Sequence, residues 1–539
     1  MSSICVMIPA IKKNVAFTDD LVKKLAGIPL ILRAINKAKE LTDPEQVHVV
    51  TDSMEIHLLA QRHAVHSFHD KDLDLLRPGF PRSMRFFLGR IARRHTCVVL
   101  LSPYAPLLTA ATIKQAIQIF QETGCDLLLP LSMQRYRGGT THLPDMQELL
   151  LAAKQQLLFV ESRSFRIFNP TRILQNTPQS AWRIQPFLLE SGLPEIADFQ
   201  DWWICEKIIR RRRIVFRVVV DATKGTGHIF RAMALAHEIT DHEIVFVCND
   251  LHHETVKKLA GFDYRLDVFS DSEMVDSILR LKPDMVVNDI LDTDAAYIDR
   301  LHQAGIKVVN FEDLGSGAPL ADLTINELYD EPQIQGHTIH WGHGYFFLRD
   351  EFNDARPHRF REKVESILVT FGGTDPNDFT RKIFHAIHPY CREKGIRIFI
   401  VTGAGYGNIE VLNRELAAMQ SADVVFTHAT GVISQIMEMT PIAISANGRT
   451  VYELAHMHIP AIVLSHHARE ITHRFAREEN GFLNQDIYHA GLTEQTVLAN
   501  LQRLVEDHAF RRELFDRVRR YNFTRNKSKV LRMILKILE

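Results

Sequence analysis

The sequence predicts an α/β protein of several domains, from three features. Short β-branched runs alternate with segments whose apolar residues recur at helical spacing. Several of those runs end in glycine-rich turns, the punctuation of strand–loop–helix units in parallel sheets. The chain has 539 residues, more than one hydrophobic core holds, so two or three domains are expected.

Composition narrows the function classes. Hydrophobic residues make up 46% and charged residues 24%, a globular balance. The formal net charge of −1 gives no global field for nucleic acid or an anionic membrane. The one dense basic run, Arg210 to Arg213, reads as a solvated helix C-terminus. Six scattered cysteines without a CxxC pair read as buried thiols of a reducing compartment. No run approaches the roughly 20 apolar residues of a membrane span, and Met1–Pro9 lacks the basic start of a secretion signal. A cytoplasmic protein is expected. The histidines, including His466, His467 and His473 or His340 and His343, follow neither HExxH nor zinc spacing. No metal site is therefore expected from them.

Taken in order, Ile4–Pro9 reads as a short buried strand. Gly27 to Ile31 opens a helix running to about Lys39, and Val47–Asp52 is the next strand. Val98–Leu101 is a third strand, followed by the proline-punctuated Ser102–Leu107. Helix Ala110–Glu122 and strand Asp126–Pro130 continue the alternation, which predicts a mostly parallel sheet. The stretch Val218–Ala236 is the pivot. A β-branched run enters Asp221, then Gly225-Thr226-Gly227 and His228, then a helix. Glycines let backbone approach a ligand closely. The helix N-terminus behind them offers N–H groups to an anion, and a histidine at that mouth can exchange protons. No Pro/Gly/Ser-rich linker precedes this stretch, so docked domains with limited relative freedom are expected.

Further strands are expected at Ile244–Cys248, Met285–Val287 and Lys307–Asn310, with Asn288 and Asp289 just past the end of one. That is where open α/β sheets place ligands. After Gly342–Phe352 a second unit begins with ILVTFGGTD, a strand opening onto Gly372, Gly373 and Thr374. Strand Arg397–Thr402 runs into Gly403-Ala404-Gly405. IAISANGRTVYE then gives a strand, Asn447-Gly448, Thr450 as cap, and a helix with Glu453. Two such units facing a cleft describe the GT-B architecture.

The first 200 residues resemble the cytidylyltransferases that charge nonulosonic (sialic-type) acids with CMP. The resemblance rests on the order IPA, GIPLI, VVTDSMEI, LLSPYAPL and DWWICE. It implies a nucleotidyltransferase-like fold and, in an active member, CTP and Mg²⁺. The chemistry positions depart from the family. Its arginine falls on Ile11, its loop serine and lysine on Asn14 and Val15, and its closing lysine–asparagine on Asp20 and Leu21. Its paired metal-binding aspartates fall on Glu195 and Ala197, with Asp198 and Asp201 nearby. Lys12 and Lys13 are the basic residues left to compensate, and Asp52 closes the TD motif. A triphosphate loop needs positive charge and a metal, so this half is expected to keep the fold and lose nucleotidyl transfer.

GTGHIFR, VVNFED, LRDEF, VTFGGTD and ANGRTVYE resemble the hydrolase of pseudaminic acid biosynthesis, over about 300 residues. That family removes UDP from UDP-2,4-diacetamido-2,4,6-trideoxy-β-L-altropyranose. The resemblance implies a GT-B fold, a UDP-sugar substrate, no cofactor, and His228 as base for, or orienter of, a water attacking the anomeric carbon. It implies that Gly225, Gly227, Gly372, Gly373, Thr374, Gly448, Thr450 and Glu453 hold substrate or nucleotide, and Arg231, Asn288, Asp289 and Asn447 are further candidates for that site. Glu453 would accept two ribose hydroxyls, or serve only as a first-turn glutamate stabilising its helix. The family's Asn-Gln pair is replaced by His467-Ala468, so His467 either serves the substrate or caps a surface helix. The expected boundaries are 1–213, 214–355 and 356–539. The alternatives are a bifunctional enzyme that also makes a CMP-sugar acid, a GT-B glycosyltransferase, and a non-catalytic sugar-nucleotide-binding partner.

Overall fold

Ile4–Ala10 (β1) is buried along most of its length, as a strand in the middle of a sheet must be. The structure, a computed structural model, describes residues 4–12, 17, 19–71, 82–91, 95–135, 157–175, 179–189, 194–219, 227–249, 264–419 and 422–539. Lys13, Asn14, Val15, Asp221, Gly225 and Thr226 lie outside the described residues. The chain divides into two compact units, Met1–Arg211 and Arg212–Glu539.

In the first unit β1 pairs in parallel with Val47–Thr51 and with Cys97–Leu101. After the two-residue strands Lys24–Leu25 (β2) and Ile28–Pro29 (β3), the sheet strands are β4 (Val47–Thr51), β5 (His66–His69) and β6 (Cys97–Leu101). They continue with β7 (Leu127–Arg135), β8 (Leu157–Glu161), β9 (Phe165–Phe168) and β10 (Ile184–Leu188). The order is β10-β7-β9-β6-β1-β4-β5, with β8 also on β7. Three pairings, β6–β9, β7–β8 and β7–β9, are antiparallel. β8 and β9 both run antiparallel to β7, β8 along Leu131–Arg135 and β9 along Leu127–Leu128, with only three residues between them. The amphipathic helices Leu30–Lys39 and Ala110–Thr123 pack their apolar faces into one core with β1, β4 and β6. Thr109 caps the second helix through the Thr112 amide, and left-handed Gly124 ends it.

The second unit holds two all-parallel sheets. The first contains β11 (Arg213–Val218), β12 (Glu243–Asn249), β13 (Arg265–Phe269), β14 (Met285–Asp289), β15 (Lys307–Phe311), β16 (Leu323–Asn326) and β17 (Ile339–Trp341), in the order β13-β12-β11-β14-β15-β16-β17. The second contains β18 (Ser366–Thr370), β19 (Arg397–Thr402), β20 (Val424–His428), β21 (Ala443–Ala446), β22 (Ala461–Ser465) and β23 (Phe482–Ile487), in the order β20-β19-β18-β21-β22-β23. Strands β14, β16, β18, β21 and β22 are buried at every residue, which explains the apolar stretches Met285–Val287, Ile367–Val369 and Ala461–Leu464 within them. The last helix, Asn526–Lys536, follows the second sheet in sequence yet buries Val530 and Ile534 in the core of the first. Two Rossmann-like sheets with strand C-termini at one cleft make the GT-B arrangement. All six cysteines are free and buried.

Candidate active site

Side chains alternate across a strand, so the last two residues of β14 face opposite ways. Asp289 faces the helix Gly227–Ala236, where His228 and Arg231 share one side at i, i+3 spacing. His228 Nδ1 lies 2.6 Å from Asp289 Oδ1, and Arg231 Nε donates to Asp289 Oδ2 at 2.7 Å. A carboxylate only accepts, so this contact places the ring hydrogen on Nδ1 and leaves Nε2 as the acceptor nitrogen. Asn288 turns to the other face, bonding Asn310 at 2.9 Å and the Tyr297 hydroxyl at 2.7 Å. It is a structural residue of that face.

Arg231 is the hub of a buried charge cluster. Its guanidinium also donates to Glu312 at 2.9 Å and Glu327 at 2.8 Å. Arg449 donates to the same Glu327 oxygen and, at 2.9 Å, to the Phe347 carbonyl. The other Glu327 oxygen, Oε2, is buried without a hydrogen-bond partner. Burial works to raise the Asp289 and Glu312 carboxyls, but Arg231 and His228 override it. Asp289 is held below the ordinary carboxylate range and Glu312 is lowered to about 2. Burial, then the nearby Arg231, lowers Arg449 to about 10. Donor atoms of His228, Asp289 and Glu312 come within 4.8 Å of one another, as metal ligands would. Arg231 already bonds both carboxylates, so a guanidinium supplies the positive charge and the set does not fit a divalent cation.

The cluster backs onto a cavity of about 450 Å³ at the cleft between the two sheets. Gly227, His228, Gly372, Gly373, Thr374, Gly448, Thr450, Glu453 and His467 all line it, so most of the residues singled out in the second half of the sequence converge there. Gly372 sits at φ +80°, which favours glycine, and Gly403 packs against its neighbour, since a Cβ there would lie 2.4 Å from the Gly373 carbonyl. The helix Arg449–His456 points its start at this cavity with Gly448 as N-cap, so Thr450 is its second residue and not the cap. Asn447 lies behind, donating to the Glu470 carbonyl at 2.7 Å. His467 is the N-cap residue of Ala468–Ile471 without a side-chain capping bond.

Glu453 lies a full turn into its helix, past the first turn where an acid stabilises the dipole. Both its oxygens accept from Arg349, at 2.8 and 3.2 Å. Each oxygen keeps a lone pair for a further donor. On the role that the resemblance implies for it, two ribose hydroxyls of a bound nucleotide, Glu453→Ala is expected to weaken UDP binding by about 1–3 kcal/mol, as loss of charge-assisted bonds does. Calorimetry with unchanged affinity would leave Glu453 only its Arg349 contact.

Arg349, Glu312, Glu327 and Arg449 were not singled out in the sequence. Glu312 and Glu327 each follow or end a strand run, as Asp289 does, and that position was the available signal.

In the first unit the expected residues serve other partners. The Lys12 ammonium pairs with Asp19 at 2.8 Å and Glu55 at 2.9 Å, and its amide donates to Asp52 at 2.6 Å. Glu195 accepts from the Ser162 hydroxyl and, at 3.1 Å, from the Arg163 amide. Asp198 caps the helix Phe199–Arg210 through the Gln200 and Asp201 amides, and Asp201 accepts from the Ala197 amide at 2.9 Å. Among the described residues these acids form no group with metal-ligand spacing, and helix capping accounts for two of them.

No family model matches the chain. It is 24% identical over 309 residues to the spore coat polysaccharide biosynthesis protein SpsG of Bacillus subtilis, covering 54% of this chain and 88% of that protein. It is 23% identical over 261 residues to an uncharacterized protein of Methanocaldococcus jannaschii, covering 44% of this chain and about half, 53%, of that relative. Among solved structures, Acinetobacter baumannii MurG matches with a TM-score of 0.43 and 13% identity, over 60% of this chain and 99% of that one. A CMP:2-keto-3-deoxy-manno-octonic acid synthetase complexed with CTP matches with a TM-score of 0.29 and 12% identity, over 39% of this chain and 98% of that one. No described helix is long and apolar enough to cross a membrane.

Proposed function

We propose that the unit Arg212–Glu539 hydrolyses a UDP-linked deoxy-acetamido sugar, within the biosynthesis of a nonulosonic acid of the sialic or pseudaminic type. One observation carries the reading. His228 lines the same cavity as the loop Gly372–Thr374 while Asp289 fixes its Nδ1. An oriented imidazole with Nε2 free to accept is the arrangement of a general base. Water attacks the anomeric carbon and gives its proton to His228 Nε2. The C–O bond to the diphosphate breaks, and UDP leaves with the electron pair. Backbone N–H groups of the glycine loop and the start of Arg449–His456 take the diphosphate charge. The similarity to a polysaccharide biosynthesis protein agrees with a sugar substrate. The test is a screen of UDP-sugars without acceptor, read by mass spectrometry. UDP plus free sugar is the expected product pair; UDP released only with an added hydroxyl acceptor would make the protein a glycosyltransferase.

The unit Met1–Arg211 is read as a cytidylyltransferase-like domain without nucleotidyl transfer. The support is that Lys12 is held by two acids and that Asp198 and Asp201 are engaged at a helix start. A coupled assay of the full chain with CTP, Mg²⁺ and several nonulosonic acids should release no pyrophosphate. Turnover that disappears in Lys12→Ala would establish the bifunctional alternative instead.

A further inference from the structure

The cavity wall at residues 466–473 carries an acid that the reaction above does not use. Glu470 is the third residue of the short helix Ala468–Ile471, and its Oε2 accepts the His466 amide at 2.6 Å. Its side chain is 13% exposed and lines the cavity. Oε1 lies 3.9 Å from His467 Nε2, and the carboxyl pairs with no Lys or Arg among the described residues. His466 links this acid to the glycine loop, since its Nε2 lies 3.3 Å from the Phe371 carbonyl and its own carbonyl accepts from Asn377 at 2.9 Å. His466 thus joins the carboxyl to the strand end that opens onto Gly372–Thr374, and carboxyl and loop line the same cavity. A carboxylate there would repel a diphosphate. The arginines lining the cavity are already engaged: Arg349 with Glu453, Arg449 with Glu327, and Arg469 with Asp292 at 2.8 and 2.9 Å.

We propose that Glu470 takes up one proton when the cavity binds the diphosphate of a nucleotide sugar, replacing a repelling charge by a hydrogen-bond donor. The inference rests on the reading of this cavity as a nucleotide-sugar site. The surroundings favour the neutral form. Burial raises the Glu470 carboxyl to about 7; the His466 amide opposes this and Glu312 adds to it. The histidines, Glu312 and Arg469 around it keep their charge states near neutral pH. Burial lowers His466, His467 and His473, so those rings are uncharged there. Glu312 is lowered to about 2 and stays ionised, and Arg469 stays charged against Asp292 and Tyr329. Asp375, beyond the glycine loop, is raised by burial, and its oxygens accept the Phe379 and Thr380 amides at 2.9 and 2.8 Å.

The test is calorimetry of the full chain with UDP-N-acetylglucosamine from pH 6 to 8.5, in buffers of different ionisation heat. Both ends of that diphosphate are esterified, so the ligand has no proton to lose in this range. Uptake close to one proton per ligand at pH 8 is expected, with affinity falling about tenfold per pH unit above about 7. Glu470→Gln should bind without proton uptake and with a flat profile, roughly tenfold or more tighter than the parent at pH 8.5. Binding with a flat profile and no uptake in the parent chain would overturn this inference alone. A slope kept in Glu470→Gln would do the same. No binding at any pH would overturn the nucleotide-sugar reading and this inference with it.

Discussion

His228→Gln is expected to lower UDP-sugar cleavage by roughly 10²–10⁴-fold, the scale of a lost general base. UDP affinity should barely change, because in the proposed reading the diphosphate is held by the loop Gly372–Thr374 and the helix beginning at Arg449, not by His228. Glutamine keeps a polar group of similar reach but cannot take the proton of the attacking water. Asp289→Asn should produce a loss of similar direction by another route. An amide at 2.6 Å from His228 Nδ1 can donate as well as accept, so it can hold the ring in the other tautomer with the proton on Nε2. Steady-state kinetics with a cleavable UDP-sugar checks both. Near-normal kcat in His228→Gln would remove the histidine from the chemistry.

Most of the scaffold was legible in the sequence because parallel strands are buried on both faces and announce themselves as apolar runs. Arg397–Thr402 begins and ends where the sequence placed it. Glycine-rich turns at strand ends also located the cavity, since Gly227, Gly372, Gly373 and Gly448 line it. Two kinds of information were missing. Facing is one: Asn288 and Asp289 are neighbours in sequence, yet only Asp289 reaches His228, because a strand alternates its side chains. Long-range charge pairing is the other. Arg231 meets Glu327 across 96 residues and Arg349 meets Glu453 across 104, and no local spacing reports such pairs. Thr450 illustrates a smaller ambiguity. Gly448 and Thr450 are both acceptable N-caps by residue type, and the backbone chose the glycine.

Arg231→Met should be the most destabilising single change in this cluster, costing about 3–5 kcal/mol at neutral pH, the scale for breaking a buried ion pair by removing one partner. Methionine fills much of the volume, so the loss is mainly electrostatic. Without the guanidinium, Asp289, Glu312 and Glu327 remain buried with Arg449 as the one remaining cation of the cluster. The pH dependence separates this cause from lost packing. Asp289 and Glu312 are lowered in the folded chain because Arg231 outweighs their burial. A lowered carboxyl contributes stability that is present above its unfolded value, about 4.3 for glutamate, and is lost as pH falls through the folded value. The parent chain should therefore lose stability as pH drops from about 4 toward 2, the value to which Glu312 is lowered. In Arg231→Met that contribution is already gone at pH 7, so the gap between the two proteins should narrow on acidification. Denaturant unfolding of both proteins between pH 2 and 8 measures that gap. A gap that stays constant with pH would assign the role of Arg231 to packing against Phe311, whose ring lies 5.0 Å below its guanidinium, and not to the carboxylates around it.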